Sequence, residues 1–170
     1  VLEKMYRTYT REEYLKIIRQ LREQCPEIAL STDIIIGFPG ETDDDFEHTL
    51  SLLDEVQFDF AFSFNYSPRP HTTAGRYFED DVSQVVKEKR LHLLQEKQLK
   101  KSYELNQNCV GSTYIVLVEG PSKMGETLQG RSSQNRIIHF PIDPAVKVGD
   151  FVKVKVTKAT PTSLVGESVP

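Results

Sequence analysis

Cysteine is scarce in this chain of 170 residues: Cys25 and Cys109 are its only thiols, far apart and in no CxxC arrangement. Two isolated thiols cannot hold a structural zinc or an iron–sulfur cluster by themselves. Read from the sequence, both are small apolar residues in the reduced state. No apolar run approaches the length that crosses a bilayer, and no signal-peptide pattern opens the chain. This leaves a protein with no membrane partner and a cytoplasmic address. There is no internal repeat, no low-complexity tract, and no obvious nucleophile with its base. The first residue is Val1 rather than Met, in charged helical sequence, so a cut from within a longer protein is expected, and processing would look the same.

What is present is an ordinary globular mixture, 27% charged and 38% hydrophobic. The net charge of −4 argues against general nucleic-acid binding, yet the charge is uneven. From Val110 onward seven Lys or Arg stand against five Asp or Glu, so the tail is the basic part. That asymmetry predicts two domains with different partners, and the long charged helix ending at Asn106 is the natural boundary, between residues 106 and 107.

The organising stretch is Ser31 to Glu41, STDIIIGFPGE. Its run of isoleucines reads as a parallel strand buried on both faces. The glycines beyond it either let a ligand approach the backbone or simply make a Pro-Gly turn. Before it, Thr10 and Glu13 have capping-box spacing and Tyr9 can staple on Tyr14, so a helix runs from Thr10 until Pro26 ends it. After it, Thr42 caps a second helix, with Asp43, Asp44 and Asp45 in its first turn. Those carboxylates complement the helix dipole, which is a sufficient reason for them without a metal. Phe58 to Asn65 is a second strand. Helix, strand, helix, strand is the repeat of an α/β barrel or doubly wound sheet, here incomplete.

His71 to Asp81 reads as a loop, and Val82 to Asn106 as a long charged helix with Leu91, Leu94, Leu99 and Leu105 among its apolar positions. From Gly111 the period changes to two. Strands are predicted over Thr113–Glu119, Thr127–Arg131, Arg136–Phe140, Phe151–Lys158 and Ser163–Glu167, with a turn at Gly120–Lys123. Such short strands punctuated by Gly and Pro form a small antiparallel barrel of oligonucleotide-binding type.

Thr32, Asp33, Glu41 and Arg69 fall near the expected carboxyl ends of parallel strands, with Arg7 a further cation. Carboxylate, hydroxyl and guanidinium together suit a zwitterionic small molecule. On the barrel, Lys123, Arg131, Arg136, His139, Phe140, Lys153 and Lys155 interleave cations with rings, which fits single-stranded or loop RNA; a solvated strand face is the alternative for the lysines.

The strings MYRTYT, STDIIIGFPGETDDDF, FNYSPRP, VEGPSK, GRSSQNRIIHF and TSLVGE, in that order, resemble the carboxyl-terminal half of the radical S-adenosylmethionine methylthiotransferases that act on tRNA. The resemblance implies an α/β fold: the carboxyl-terminal part of a partial TIM-like barrel lining the S-adenosylmethionine pocket, then a small antiparallel β-barrel, the TRAM domain, gripping tRNA. It places Arg7, Thr32, Asp33, Ile35, Gly37 and Arg69 around the cofactor, and adds Asn135 to the RNA-binding set. Two 4Fe–4S clusters are implied, with their cysteine ligands in an amino-terminal part not present here, so this piece should be inactive alone. His71 departs from the Gly usual in an RPGT string. VEGPSK with Asn135, Arg136 and Phe140 favours an isopentenylated adenosine beside the anticodon as substrate. A threonylcarbamoylated adenosine, a ribosomal-protein aspartate, or a non-catalytic RNA-binding module are the other readings. The partner implied is the tRNA anticodon stem-loop, with a monomeric protein and an unknown sulfur donor.

Overall fold

A computed structural model describes residues 1–170, which divide into two units, Val1–Gln98 and Leu99–Pro170. In the first, α1 (Arg11–Gln24), β1 (Ser31–Ile36), α2 (Asp43–Val56) and β2 (Phe60–Asn65) alternate as expected, followed by the short α3 (Thr73–Tyr77) and the start of α4 (Gln84–Gln107). Both helix starts are full capping boxes, Thr10 with Glu13 and Thr42 with Asp45. Each box satisfies two amide groups that the first turn leaves free. Tyr9 stacks on Tyr14 with ring centroids 5.9 Å apart. α1 stops at Gln24, capped by the Cys25 amide on the Leu21 carbonyl.

β1 and β2 pair in parallel, with Asp33 opposite Phe62 and Ile35 opposite Phe64. One face of this pair packs on the helices: Ile36 joins Leu15, Ile18, Phe46, Leu53, Val56, Phe58 and Leu94 in a buried cluster, with Ile34 against it. The other face is open, for Ile35, Phe62 and Phe64 are 43%, 58% and 56% exposed. The expected strand buried on both faces is therefore corrected. Side chains alternate along a strand, and only the Thr32, Ile34 and Ile36 side is covered.

Two further expectations change. The segment read as a loop after His71 contains α3, whose Thr72 side chain caps the Gly75 amide at 3.1 Å. In α4 the buried positions are largely polar: Lys87, Arg90, Gln98, Ser102 and Asn106 are buried beside Leu94, whereas Leu99 is 48% exposed. Spacings of three and four put these polar groups on one stripe, and their inward face is set by partners elsewhere in the chain.

The second unit is a closed barrel with strand order β3-β4-β5-β7-β6. Its strands are β3 (Thr113–Pro121), β4 (Leu128–Arg131), β5 (Ile137–Phe140), β6 (Phe151–Ala159) and β7 (Leu164–Ser168). All neighbours are antiparallel except β5 and β7, which run parallel. β3 continues through Pro121, so the turn begins at Ser122 rather than Gly120, closed by the Gly125 amide on the Ser122 carbonyl. Val116, Val118, Leu128, Ile138, Phe140, Val154, Val156 and Leu164 fill the barrel. At about 25 cal/mol per Å² of apolar surface removed from water, such a cluster is the main stabilising element of a unit this size.

Candidate cofactor face and nucleic-acid face

In the first unit, the end of β1 is a clasp. Gly37 has φ +70°, and a Cβ there would lie 2.3 Å from Lys87 Cγ. Its amide donates to Glu41 Oε2 at 3.0 Å. Lys87, only 2% exposed, sends Nζ to both Asp80 carboxylate oxygens at 2.5 and 2.7 Å. Its ammonium also sits 5.3 Å from the Tyr66 ring centroid. Arg90 bridges Glu41 at 2.7 Å and Asp43 at 2.6 Å. Burial pushes the Glu41 carboxyl above its ordinary value, opposed by the Gly37 amide and the Arg90 guanidinium. Phe38 meets Tyr66 and Phe78 edge-on at 5.1 and 6.1 Å, and the Gly40 amide donates to Asp81 Oδ1 at 2.7 Å. The glycine-rich turn thus holds the segment after β2 and the first turns of α4.

This arrangement divides the residues read as cofactor-binding. Asp33 and Ile35 share the open face of the sheet with Phe62 and Phe64. Thr32 lies on the opposite face, hydrogen-bonded to Tyr14, whose hydroxyl burial holds above its ordinary range. A single pocket over this sheet face therefore cannot use both Thr32 and Asp33 side chains, because adjacent strand residues point apart. Gly37 is close-packed, but what fills the space beside its Cα is Lys87 rather than an open approach for a ligand. Arg7 and Arg69 are exposed. Lys87, Asp80 and Arg90 were not foreseen, although the 87, 90, 94, 98 spacing carried the signal.

The open face pairs one carboxylate with apolar side chains, a donor set that fits a cationic molecule bearing a flat ring, as S-adenosylmethionine does. An iron–sulfur cluster does not fit these residues. Cys25 is exposed, Cys109 is buried in the barrel core, and no group of three or more His, Cys, Asp or Glu side chains is placed to hold a metal.

On the barrel, Lys153 and Lys155 are exposed on the outer side of β6, and Lys123 is exposed after β3. Arg131 Nε donates to Glu119 at 2.9 Å and its Nη1 to Asn135 Oδ1 at 2.8 Å. Asn135 takes φ +60° and shapes the turn between β4 and β5. His139 is half-buried. One RNA-binding expectation is corrected. Phe140 is fully buried, because it shares the inward parity of Ile138 on β5, so its ring is not available for stacking. Arg136 is half-buried and donates to Asn106 Oδ1 at 2.7 Å, while Asn106 Nδ2 donates to the Thr160 carbonyl at 2.9 Å. The exposed ring is instead Phe151, 73% accessible, which the sequence reading did not single out.

Comparison with known proteins adds sequence relationships to this geometry. Residues 1–53 match the model of the radical SAM superfamily, and residues 107–169 match that of the TRAM domain. The tRNA-2-methylthio-N(6)-dimethylallyladenosine synthase of Hahella chejuensis is 47% identical over 99% of this chain and 38% of its own length. The protein of the same name from Bdellovibrio bacteriovorus is 44% identical over 99% of this chain and 37% of its own. That of Coxiella burnetii is 46% identical over 98% of this chain and 38% of its own. The chain spans less than two fifths of the length of these curated relatives, matching their carboxyl-terminal part.

Proposed function

We propose that this chain belongs to the radical S-adenosylmethionine methylthiotransferases and forms the cofactor-positioning and tRNA-holding part of an enzyme that adds a methylthio group to C2 of an N6-isopentenylated adenosine next to the anticodon. The observation that carries the reading is the near end-to-end similarity to the synthases, through both modules in one order. We place the boundary between the modules at residues 106 and 107. One S-adenosylmethionine would supply the methyl group and another, reductively cleaved at an iron–sulfur cluster, the radical that attacks an unreactive C–H bond, and the cluster ligands would belong to an amino-terminal part of the longer polypeptide.

The residues of this chain bind, orient and exclude water. Asp33, exposed on the sheet face, offers its carboxylate to the cofactor's ammonium or ribose hydroxyls. Ile35 and Phe62 beside it cover apolar surface and keep water from a reactive species. Arg69 or Arg7 is suited to fork onto a carboxylate. The barrel's exposed Lys153 and Lys155 neutralise phosphates of the anticodon stem-loop. The polypeptide works as a cytoplasmic monomer in this reading.

The test is made on the full polypeptide, whose sequence ahead of Val1 should carry a CxxxCxxC string. Asp33→Ala should weaken S-adenosylmethionine binding in calorimetric titration and leave tRNA affinity unchanged. Unchanged cofactor binding would make Asp33 a structural residue and remove it from the pocket.

A further inference from the structure

The outer wall of the barrel where β3 meets β6 carries a pattern that Lys153 and Lys155 alone do not explain. In register across this wall, Arg131 of β4 lies opposite Leu117, and Leu117 lies opposite Phe151. One step along, Ile115 lies opposite Lys153, and beyond it Thr113 lies opposite Lys155. All of these positions have outward parity, since the intervening Val116, Val154 and Val156 are buried in the core. Phe151 is 73%, Ile115 63% and Leu117 40% exposed, which leaves three apolar side chains of two adjacent strands bare to water. Isolated exposed apolar residues are unremarkable, but a contiguous set rimmed by charge marks a contact surface.

The rim identifies the occupant. Three cations flank the apolar strip, and of the nearby carboxylates Glu119 is bound to Arg131 while Glu167 stands opposite Lys155 in the β6–β7 register. Lys153 donates to the Pro170 carbonyl at 3.3 Å and stays exposed next to Ile115 and two positions from Phe151. A flat exposed ring beside two exposed ammonium groups matches a chain of bases and phosphates, whose rings stack on aromatics and whose charge needs neutralising.

We propose that the β3–β6 wall is the RNA contact surface of the barrel, and that Phe151 stacks on an unpaired base of the bound RNA while Lys153 and Lys155 hold the flanking phosphates. This rests on the reading that the barrel holds tRNA, and supplies the ring that Phe140 cannot. Ile115 and Leu117 form the floor on which the base edge and sugar lie.

The experiment titrates a tRNA anticodon stem-loop transcript with the full polypeptide at several salt concentrations. Phe151→Ala and Phe151→Leu should each weaken binding by about tenfold with little change in salt slope, and Phe151→Tyr should retain it. Lys153→Ala should instead lower the slope. Since Phe151 is exposed, circular dichroism should show all variants folded. A wild-type polypeptide that binds no stem-loop would overturn the tRNA reading itself. Wild-type binding with an unaffected Phe151→Ala variant would overturn this assignment alone. An unaffected Phe151→Leu variant would replace stacking by a general apolar contact. An altered sedimentation of Phe151→Ala with unchanged RNA affinity would give the wall to a protein partner.

Discussion

Gly37→Ala tests the clasp at the end of β1 with a single methyl group. The new Cβ would stand 2.3 Å from Lys87 Cγ and 2.9 Å from both Cδ and Cε, inside contact distance of the whole stem. Lys87 is 2% exposed, so its stem must leave a packed site. Losing most of four buried methylenes costs about 2–3 kcal/mol at ~0.8 kcal/mol each, because part of the stem finds other apolar cover. Ala at φ +70° adds about 1–2 kcal/mol of left-handed strain. The expected loss is about 4 kcal/mol of the first unit's stability. Gly40→Ala is the control: its φ is +81°, but its Cβ would meet only the ammonium end of Lys4, which can swing away. That variant should lose only the strain, about 1–2 kcal/mol. Urea unfolding followed by far-ultraviolet circular dichroism reads the first unit, which holds α1, α2 and α3 and most of α4. Equal losses for the two variants would refute the packing role of Lys87. So would a Gly37→Ala cost that persists undiminished in a Lys87→Ala background.

Other outcomes follow from the same geometry. Arg90→Met should cost about 3–5 kcal/mol, because it leaves Glu41 buried without its cation. Glu41 is already held above its ordinary value by burial, and loss of Arg90 raises it further. The folded variant then holds a proton that the unfolded chain releases near pH 4.5, so its stability should fall as pH rises through the folded-state value; urea midpoints between pH 4 and 8 that do not fall relative to wild type would contradict this. Phe140→Ala should destabilise the barrel by about 3–5 kcal/mol, and at low temperature, where the variant stays folded, leave RNA affinity unchanged. A selective loss of RNA binding in a fully stable Phe140→Ala barrel would return that ring to the interface. Thr42→Ala should cost about 1 kcal/mol and shift acid unfolding to higher pH. The Thr42 amide and hydroxyl hold Asp45 below its ordinary value of 3.8, a contribution present above that pH and lost as pH falls through the depressed value.

The parts of the fold legible in the sequence were those fixed by neighbours in the chain. Thr10 with Glu13 and Thr42 with Asp45 make their bonds within one turn, so spacing alone revealed both helix starts. The alternation of Val152, Val154 and Val156 with lysines marked β6 for the same reason. The hidden parts depend on distant partners. Lys87 and Arg90 look like solvated helix charges until Asp80 and Glu41 are brought to them. Parity along each strand carries further information. Thr32 and Asp33 must face apart, Phe140 shares parity with the buried Ile138, and Phe151 shares it with the exposed Lys153 and Lys155. The open face bearing Ile35, Phe62 and Phe64 was not legible, because it depends on how many strands and helices cover β1.

The most direct measurement is the salt dependence of tRNA binding by the chain of residues 1–170, compared with its Lys153→Ala, Lys155→Ala double variant. The expected result is binding whose log affinity falls linearly with log salt, with a slope smaller by about 1.5 in the double variant, two lost phosphate contacts at ~0.7–0.9 each. Absence of salt-sensitive binding at low ionic strength, or identical slopes for the two proteins, would contradict it.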